Sequence, residues 1–130
     1  GMGYGLAAAI GAKLARPQVP VLAALGDGGF SMNSQELETL QRLNAPVIVV
    51  VLADNSLSLI QLSQENKKLP RYGVDFSPID SIRTAEACGI NAFRVDSAEA
   101  LGRIAREAAH DNRPVVIEVP VDVAAYRGIV

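Results

Sequence analysis

The sequence predicts an α/β fold: a three-layer, doubly wound sandwich with a mostly parallel sheet flanked by helices. Three observations point there. Apolar runs that suit strands alternate with segments of helical pattern along the 130 residues. Such alternation joins parallel strands through right-handed helical crossovers. The main strand candidates, PVLAAL (20–25) and PVIVVVLAD (46–54), are continuously apolar, as expected of strands buried on both faces. Finally, the loops 29–33 and 53–57 both follow the C-terminal ends of strands, which is where open α/β sheets bind ligands.

Taken in order, residues 3–15 are small and apolar, with Lys13 and Arg16 near the end and Pro17 beyond. This reads as a tightly packed helix whose last turn carries cations. PVLAAL is the first strand. Ser34-Gln35-Glu36-Leu37 opens the next helix, with Ser34 or Asn33 as N-cap and Leu37, Leu40 and Leu43 as its inner stripe. Residues 46–54, β-branched almost throughout, give the strongest strand signal. SLSLIQLSQENKK (56–68) is a short helix ending before Pro70, and RYGVDFSPID (71–80) is a loop. A helix runs from about Ile79 to Cys88, with Gly89 as its stop. NAFRV (91–95) is a strand. Asp96 or Ser97 caps a helix from Ala98 to about Ala109. PVVIEVPVD (114–122) is the last strand, limited by Pro120. The whole chain, 1–130, reads as one domain.

Composition narrows the function classes. Net charge is −2, which offers no basic field for nucleic acid and no polybasic surface for a membrane. No apolar run approaches the about 20 residues of a membrane span. The apolar N-terminus ends in basic residues, the reverse of a secretory signal. The single cysteine, Cys88, excludes an internal disulfide and fits a reducing compartment, so the expected location is cytoplasmic. Its plain role is a small buried hydrophobe on a helix. Gly1-Met2 looks like a tag remnant before an initiator methionine, and a piece of something longer, or a shortened reading frame, is expected.

The stretch ALGDGGFSMNSQEL (24–37) holds the first chemical signal. Asp27 sits among Gly26, Gly28 and Gly29 at the end of one strand, and Asp54 ends the next. If those strands are neighbours, the two carboxylates share a sheet edge and repel. A hard, oxygen-seeking cation relieves this; magnesium is the usual one, and it shares its shell with phosphate oxygens and water. Gly28 and Gly29 let backbone N–H groups approach an anion. The helix start after Asp54 favours an anion too. Alone, GDGG is a turn and Asp54-Asn55-Ser56 an N-cap; the pair at matched strand ends carries the reading of a metal–diphosphate clamp.

Gly26-Asp27-Gly28, residues 29–53 and then Asp54 resemble the diphosphate-binding signature of thiamine-diphosphate enzymes. GMGYGLAAAIGAKLARP looks like that family's segment ahead of the motif, and SQELETLQRLNAPVIVVVLAD like the stretch inside it. YGVDFSPIDSIRTAEACG and PVVIEVPVD are similar to the acetolactate synthase branch. The resemblance covers essentially the whole chain and implies a C-terminal thiamine-diphosphate- and magnesium-binding domain. It places Asp27 on the first metal ligand, Asp54 on the second, where most members have Asn, and the Ser56 carbonyl on the third. Gly26, Gly28 and Gly29 fall at the diphosphate, with Gly29 where many members have Ser. Ser58 and Leu59 fall at the helix start touching the same diphosphate. Met2 falls under the cofactor, on the bulky residue that bends it. Leu59, Ile60 and Ser63 face the substrate, with no acid or histidine among them. Asp54 adds a negative charge, so without metal the site should repel the cofactor.

The resemblance also implies what is missing. The cofactor is its own catalyst, switched on by a glutamate from the pyrimidine-binding domain of a partner chain. Nothing here stands for that glutamate, so no catalytic residue is assigned and the chain alone is expected to be inactive. Glu36 suits a helix first turn and Glu65 a solvated face. His110 suits a helix C-terminus, and Arg71-Tyr72 a surface loop. The complete enzyme is expected to be a transferase or lyase that decarboxylates a 2-keto acid such as pyruvate and joins the fragment to an acceptor. Apolar Leu59 and Ile60 tilt this towards carboligation. The alternatives are a 2-keto acid decarboxylase or aldehyde lyase of the same family, or a non-catalytic self-associating fragment. A nucleotide-binding α/β domain is disfavoured, because no Gly-x-Gly-x-x-Gly or Gly-Lys-Ser/Thr follows a strand. Surfaces made for partner domains favour a homo-oligomer.

Overall fold

The computed structural model describes residues 1–126. Its strands are β1 (Val21–Gly26), β2 (Val47–Ala53), β3 (Asn91–Arg94) and β4 (Val115–Pro120). All are parallel, in the order β1-β2-β4-β3. The helices are α1 (Gly5–Ala15), α2 (Asp27–Met32), α3 (Glu36–Arg42), α4 (Ser58–Asn66), α5 (Ser81–Ala87) and α6 (Ala98–Asp111). A 3-10 turn over Val123–Tyr126 follows β4. The fold is the α/β class that the alternating pattern predicts. Among the described residues no helix is long and apolar enough to cross a membrane.

The pleat divides the core in two. On one face Ala23, Val47, Val49, Val51 and Val116 pack with Leu6 and Ile10 of α1, Phe30 of α2, and Leu37 and Leu40 of α3. On the other, Ile48, Val50, Val115 and Ile117 pack with Ile104 of α6 and with Val95. β2 and β4 are therefore buried on both sides. Their register, Ile48↔Val115 and Val50↔Ile117, continues each apolar row across the strand pair.

The borders of the sheet depart from expectation. Among the described residues β1 is an edge strand paired only with β2. Leu22 is 55% exposed, because α6 contacts β2 and β4 and leaves that face of β1 uncovered. PVLAAL is thus not buried on both faces. β3, at the opposite border, exposes Asn91, Phe93 and Arg94. Leu43 is 41% exposed and does not join Leu37 and Leu40 in the core; it is the C-cap of α3, where the chain leaves the helix.

Residues 27–32, expected as turn and loop, form the helix α2. Asn33-Ser34-Gln35 is consequently a tight link between two helices. Ser34 and Asn33 do not cap α3 with their side chains. Their carbonyls accept instead, from Leu37 N and Glu36 N, each at 3.0 Å. The other helix ends behave as their residue types dictate. Asp80 caps α5 through Arg83 N at 2.9 Å, so α5 starts at Ser81 and not Ile79. Ser97, not Asp96, caps α6 through Ala100 N at 3.3 Å. Gly89, at φ +74°, ends the turn after α5, a conformation that favours glycine.

Cys88 is half-buried against the core. His110 lies on the surface at the end of α6 beside Asp111. Glu36 lies in the first turn of α3. Glu65 accepts from Gln61 Nε2 at 2.9 Å. Arg71 pairs with Asp75, and Tyr72 is exposed. Glu118, unremarked in the sequence, is a buried carboxylate on β4 satisfied by the Arg94 guanidinium (2.7 Å) and the Ser81 hydroxyl.

Leu40 is fully buried between α3 and the sheet. Leu40→Ala is expected to cost about 2–5 kcal/mol, read as a lower urea midpoint with an unchanged slope.

Candidate functional site

Asp27 and Asp54 stand at the ends of adjacent strands. Gly26 pairs with Leu52 in the parallel register, so the residues that follow each strand leave the same sheet edge together. Asp27 is buried at the first position of α2. Its Oδ1 accepts from its neighbour Gly28 N at 2.7 Å. Its Oδ2 accepts from Asn55 N at 2.8 Å, which ties the end of β1 to the end of β2. Asp54 Oδ1 accepts from Ser56 N at 3.0 Å, the short local loop that aspartate side chains favour. Asn55 between them turns the chain at φ +59°, a conformation that asparagine tolerates better than most residues.

The wall beyond Asp54 is held from outside. The Ser56 hydroxyl donates to the Val74 carbonyl at 3.1 Å, and Leu57 N donates to the same oxygen at 2.8 Å. Ser56 also bridges to Asp75 in an isolated antiparallel pair. The loop around Val74 is therefore strapped to the start of α4. Leu57 precedes α4 without a side-chain cap, so the first N–H groups of that helix have no partner within it.

These parts enclose a cavity of ≈ 530 Å³. Gly26, Asp27, Gly28, Gly29, Asp54, Ser56, Ser58, Leu59, Ile60 and Met2 all line it. Ser63 does not: it is exposed one helical turn beyond Ile60 on α4. Ser58 is only 4% exposed, and among the described residues its Oγ has no hydrogen-bond partner. A buried hydroxyl left unsatisfied is costly, and Ser58 is a residue of the cavity wall. Gly28 is tightly enclosed, since a Cβ there would lie 2.9 Å from Leu57 Cδ2 and 3.5 Å from Met2 Cε. At Gly29 a Cβ would meet only Gly3 N, at 3.9 Å, leaving room for a serine.

Tyr126 also lines the cavity, a residue that no motif or spacing marked. Burial raises its phenol above the ordinary value, and the Asp54 and Asp27 carboxylates add to the shift. At neutral pH it is therefore a donor. Leu57 was missed as well, though its position between Ser56 and Ser58 was a usable signal.

The arrangement fits a metal-chelated diphosphate. Its oxygens come from two carboxylates and a nearby main chain, a hard donor set of the kind magnesium takes. The start of α4 has no side-chain cap, so its first N–H groups are of the kind that can meet an anion.

The molecule is thus a parallel α/β domain with its ligand mouth at the C-terminal ends of β1 and β2. A family profile described as "Thiamine pyrophosphate enzyme, C-terminal TPP binding domain" matches residues 1–119, and the chain belongs to that family. It is 41% identical over 121 residues to a catabolic acetolactate synthase of Raoultella terrigena, covering 93% of this chain and 22% of that protein. It is 38% identical over 121 residues to an acetolactate synthase of Bacillus subtilis, covering 93% of this chain and 21% of that one. Among solved structures, the thiamine diphosphate-dependent 4-hydroxybenzoylformate decarboxylase of Rhodococcus jostii RHA1 superposes with a TM-score of 0.85 at 28% identity, over 93% of this chain and 23% of that one. The chain spans about a fifth of the length of these relatives.

Ser58→Ala removes a hydroxyl that the free protein leaves unsatisfied. It is expected to leave stability unchanged or raise it by about 1 kcal/mol, measured by thermal melting without ligand.

Proposed function

We propose that this domain binds thiamine diphosphate through magnesium and serves an acetolactate synthase-like enzyme that decarboxylates a 2-keto acid and joins the fragment to an acceptor. One observation carries the reading: Asp27 and Asp54 border one cavity at adjacent strand ends, tied by the Asn55 N–H. Asp27, Asp54 and the Ser56 carbonyl are assigned to the magnesium ion. Gly26, Gly28 and Gly29 let the backbone come close to the diphosphate, and Ser58 Oγ and the start of α4 at Leu59 donate to it. Met2, against Gly28, supports the organic part of the cofactor. When bound, thiamine diphosphate supplies the nucleophilic carbon and the electron sink for decarboxylation. The chain's own task is to bind, orient and keep water away, the last through Leu59 and Ile60, which line the cavity.

The activating glutamate is assigned to the pyrimidine-binding domain of a partner chain in a homo-oligomer. Exposed apolar side chains around the mouth, Met2, Tyr4, Leu59 and Ile60, support a partner there. Transferase or lyase activity, a cytoplasmic location and a 2-keto acid substrate follow from this reading. Exposed Leu22 on β1 favours, as a second reading, a self-associating fragment without catalysis.

Calorimetry separates the two readings. Thiamine diphosphate is expected to bind the chain with magnesium and not without it, and Asp27→Ala is expected to abolish the signal. Metal-independent binding, or none, would overturn the clamp. Gly29→Ser, which the space at Gly29 accepts, is expected to tighten magnesium-dependent binding several-fold by adding a hydroxyl donor, about 1 kcal/mol, in the same titration.

A further inference from the structure

The segment ahead of α1 forms part of the cavity wall without belonging to a helix or strand. Gly1, Met2, Gly3 and Tyr4 all line the cavity, and α1 starts only at Gly5. Met2 brings its methyl to 3.5 Å from where a Cβ on Gly28 would stand. Gly1 and Gly3 flank it, and glycines lose the most conformational freedom when a chain is held in one place. Something outside the segment has to hold it.

Asn33 supplies that restraint. Its side-chain Nδ2 donates to the Gly3 carbonyl, across 30 positions of sequence. Among the described residues no other hydrogen bond reaches Gly1, Met2 or Gly3. The amide that the sequence offers as a cap for α3 is used here instead. Asn33 is itself fixed from both sides: its N–H donates to Phe30 O at 3.2 Å, and its carbonyl accepts from Glu36 N at 3.0 Å. Phe30 is buried in the core, so the bracket stands on rigid ground. Gly3 meets it at φ +77°, where a Cβ would lie 3.3 Å from Met32 Cβ and 3.7 Å from Asn33 Cγ and Nδ2.

We propose that Asn33 is a positioning residue for the organic half of thiamine diphosphate: it holds the Gly3 carbonyl and so sets the place of Met2 against Gly28. This rests on the reading of Met2 and the clamp given above. Asn33 is not among the residues that line the cavity, so it acts through Met2. The diphosphate and the metal are assigned to α2, the end of β2 and the start of α4. Removing the amide leaves the main-chain bonds of Asn33 in place, and α2 with them. The two halves of the ligand are held by separate parts, and loss of the tie is felt by one half only.

The test is calorimetry of the 130-residue chain in excess magnesium. It is titrated with thiamine diphosphate and, separately, with inorganic pyrophosphate, which has no organic half to rest on Met2. Asn33→Ala is expected to bind thiamine diphosphate about three- to tenfold more weakly, the range of one lost hydrogen bond. It is expected to bind pyrophosphate within about twofold of wild type. Met2→Ala is expected to show the same selective loss, and the double variant no further one. Gly3→Ala, whose Cβ crowds the amide, repeats the test from the other end of the bond. Equal losses for both probes, no loss for either, or losses that add in the double variant would overturn the positioning role and leave the clamp standing. A wild type that binds neither probe would overturn both.

Discussion

The Asn55 N–H that reaches across to Asp27 Oδ2 is the contact on which the site depends. It joins the exits of two parallel strands that are neighbours in the sheet. Without it, the end of β1 and the end of β2 are separate loops with one acid each. With it, Asp27 is fixed at the first position of α2, and Asp54 follows at the start of the opposite wall. The valine-rich β2, buried on both faces, supplies the rigid base that such a contact needs. A loop-to-loop hydrogen bond holds its geometry only where the strands beneath it cannot slide, and the paired apolar rows prevent that.

The mouth is less well satisfied than the core. Among the described residues Ser58 Oγ has no partner, Asp54 and Asp27 line one cavity, and α4 has no side-chain cap. Each is a local cost. On the proposed reading they are complementary to a ligand that brings positive charge for the acids and negative charge for the donors. Binding sites commonly give up local stability in this way, and the rest of the fold compensates. Here the compensation is the Leu6, Phe30, Leu37 and Leu40 layer on one face and the Ile104 layer on the other.

Much of this was legible in the residues. The parallel sheet followed from alternation, and the meeting of Asp27 and Asp54 followed from the strand ends. Three features were not, for physical reasons. A continuous apolar run such as PVLAAL signals burial but cannot reveal an edge position, because neighbours and covering helices decide that; Leu22 is the result. GDGGFSM is a poor helix by intrinsic preference, since each glycine costs about 1 kcal/mol there. It becomes α2 because Phe30 packs into the core. Tyr126 reaches the mouth through the chain path after Pro120, which no spacing rule encodes. Ser63 fits the pattern by residue type, but it lies one helical turn beyond Ile60 and is not among the residues that line this cavity.

The place of β4 in the sheet bears on how the molecule comes to be assembled. It is the last of the described strands but lies between β2 and β3. During synthesis, both acids emerge by residue 54, long before β4, the strand that comes to lie against the second border of β2. A nascent chain can pair β1 with β2 and shape the ligand mouth while one border of β2 is still bare. Closing the gap requires contacts between distant parts of the sequence, the kind that form slowly. The interval before residue 120 leaves the ribosome is therefore when this chain most needs protection against mispairing.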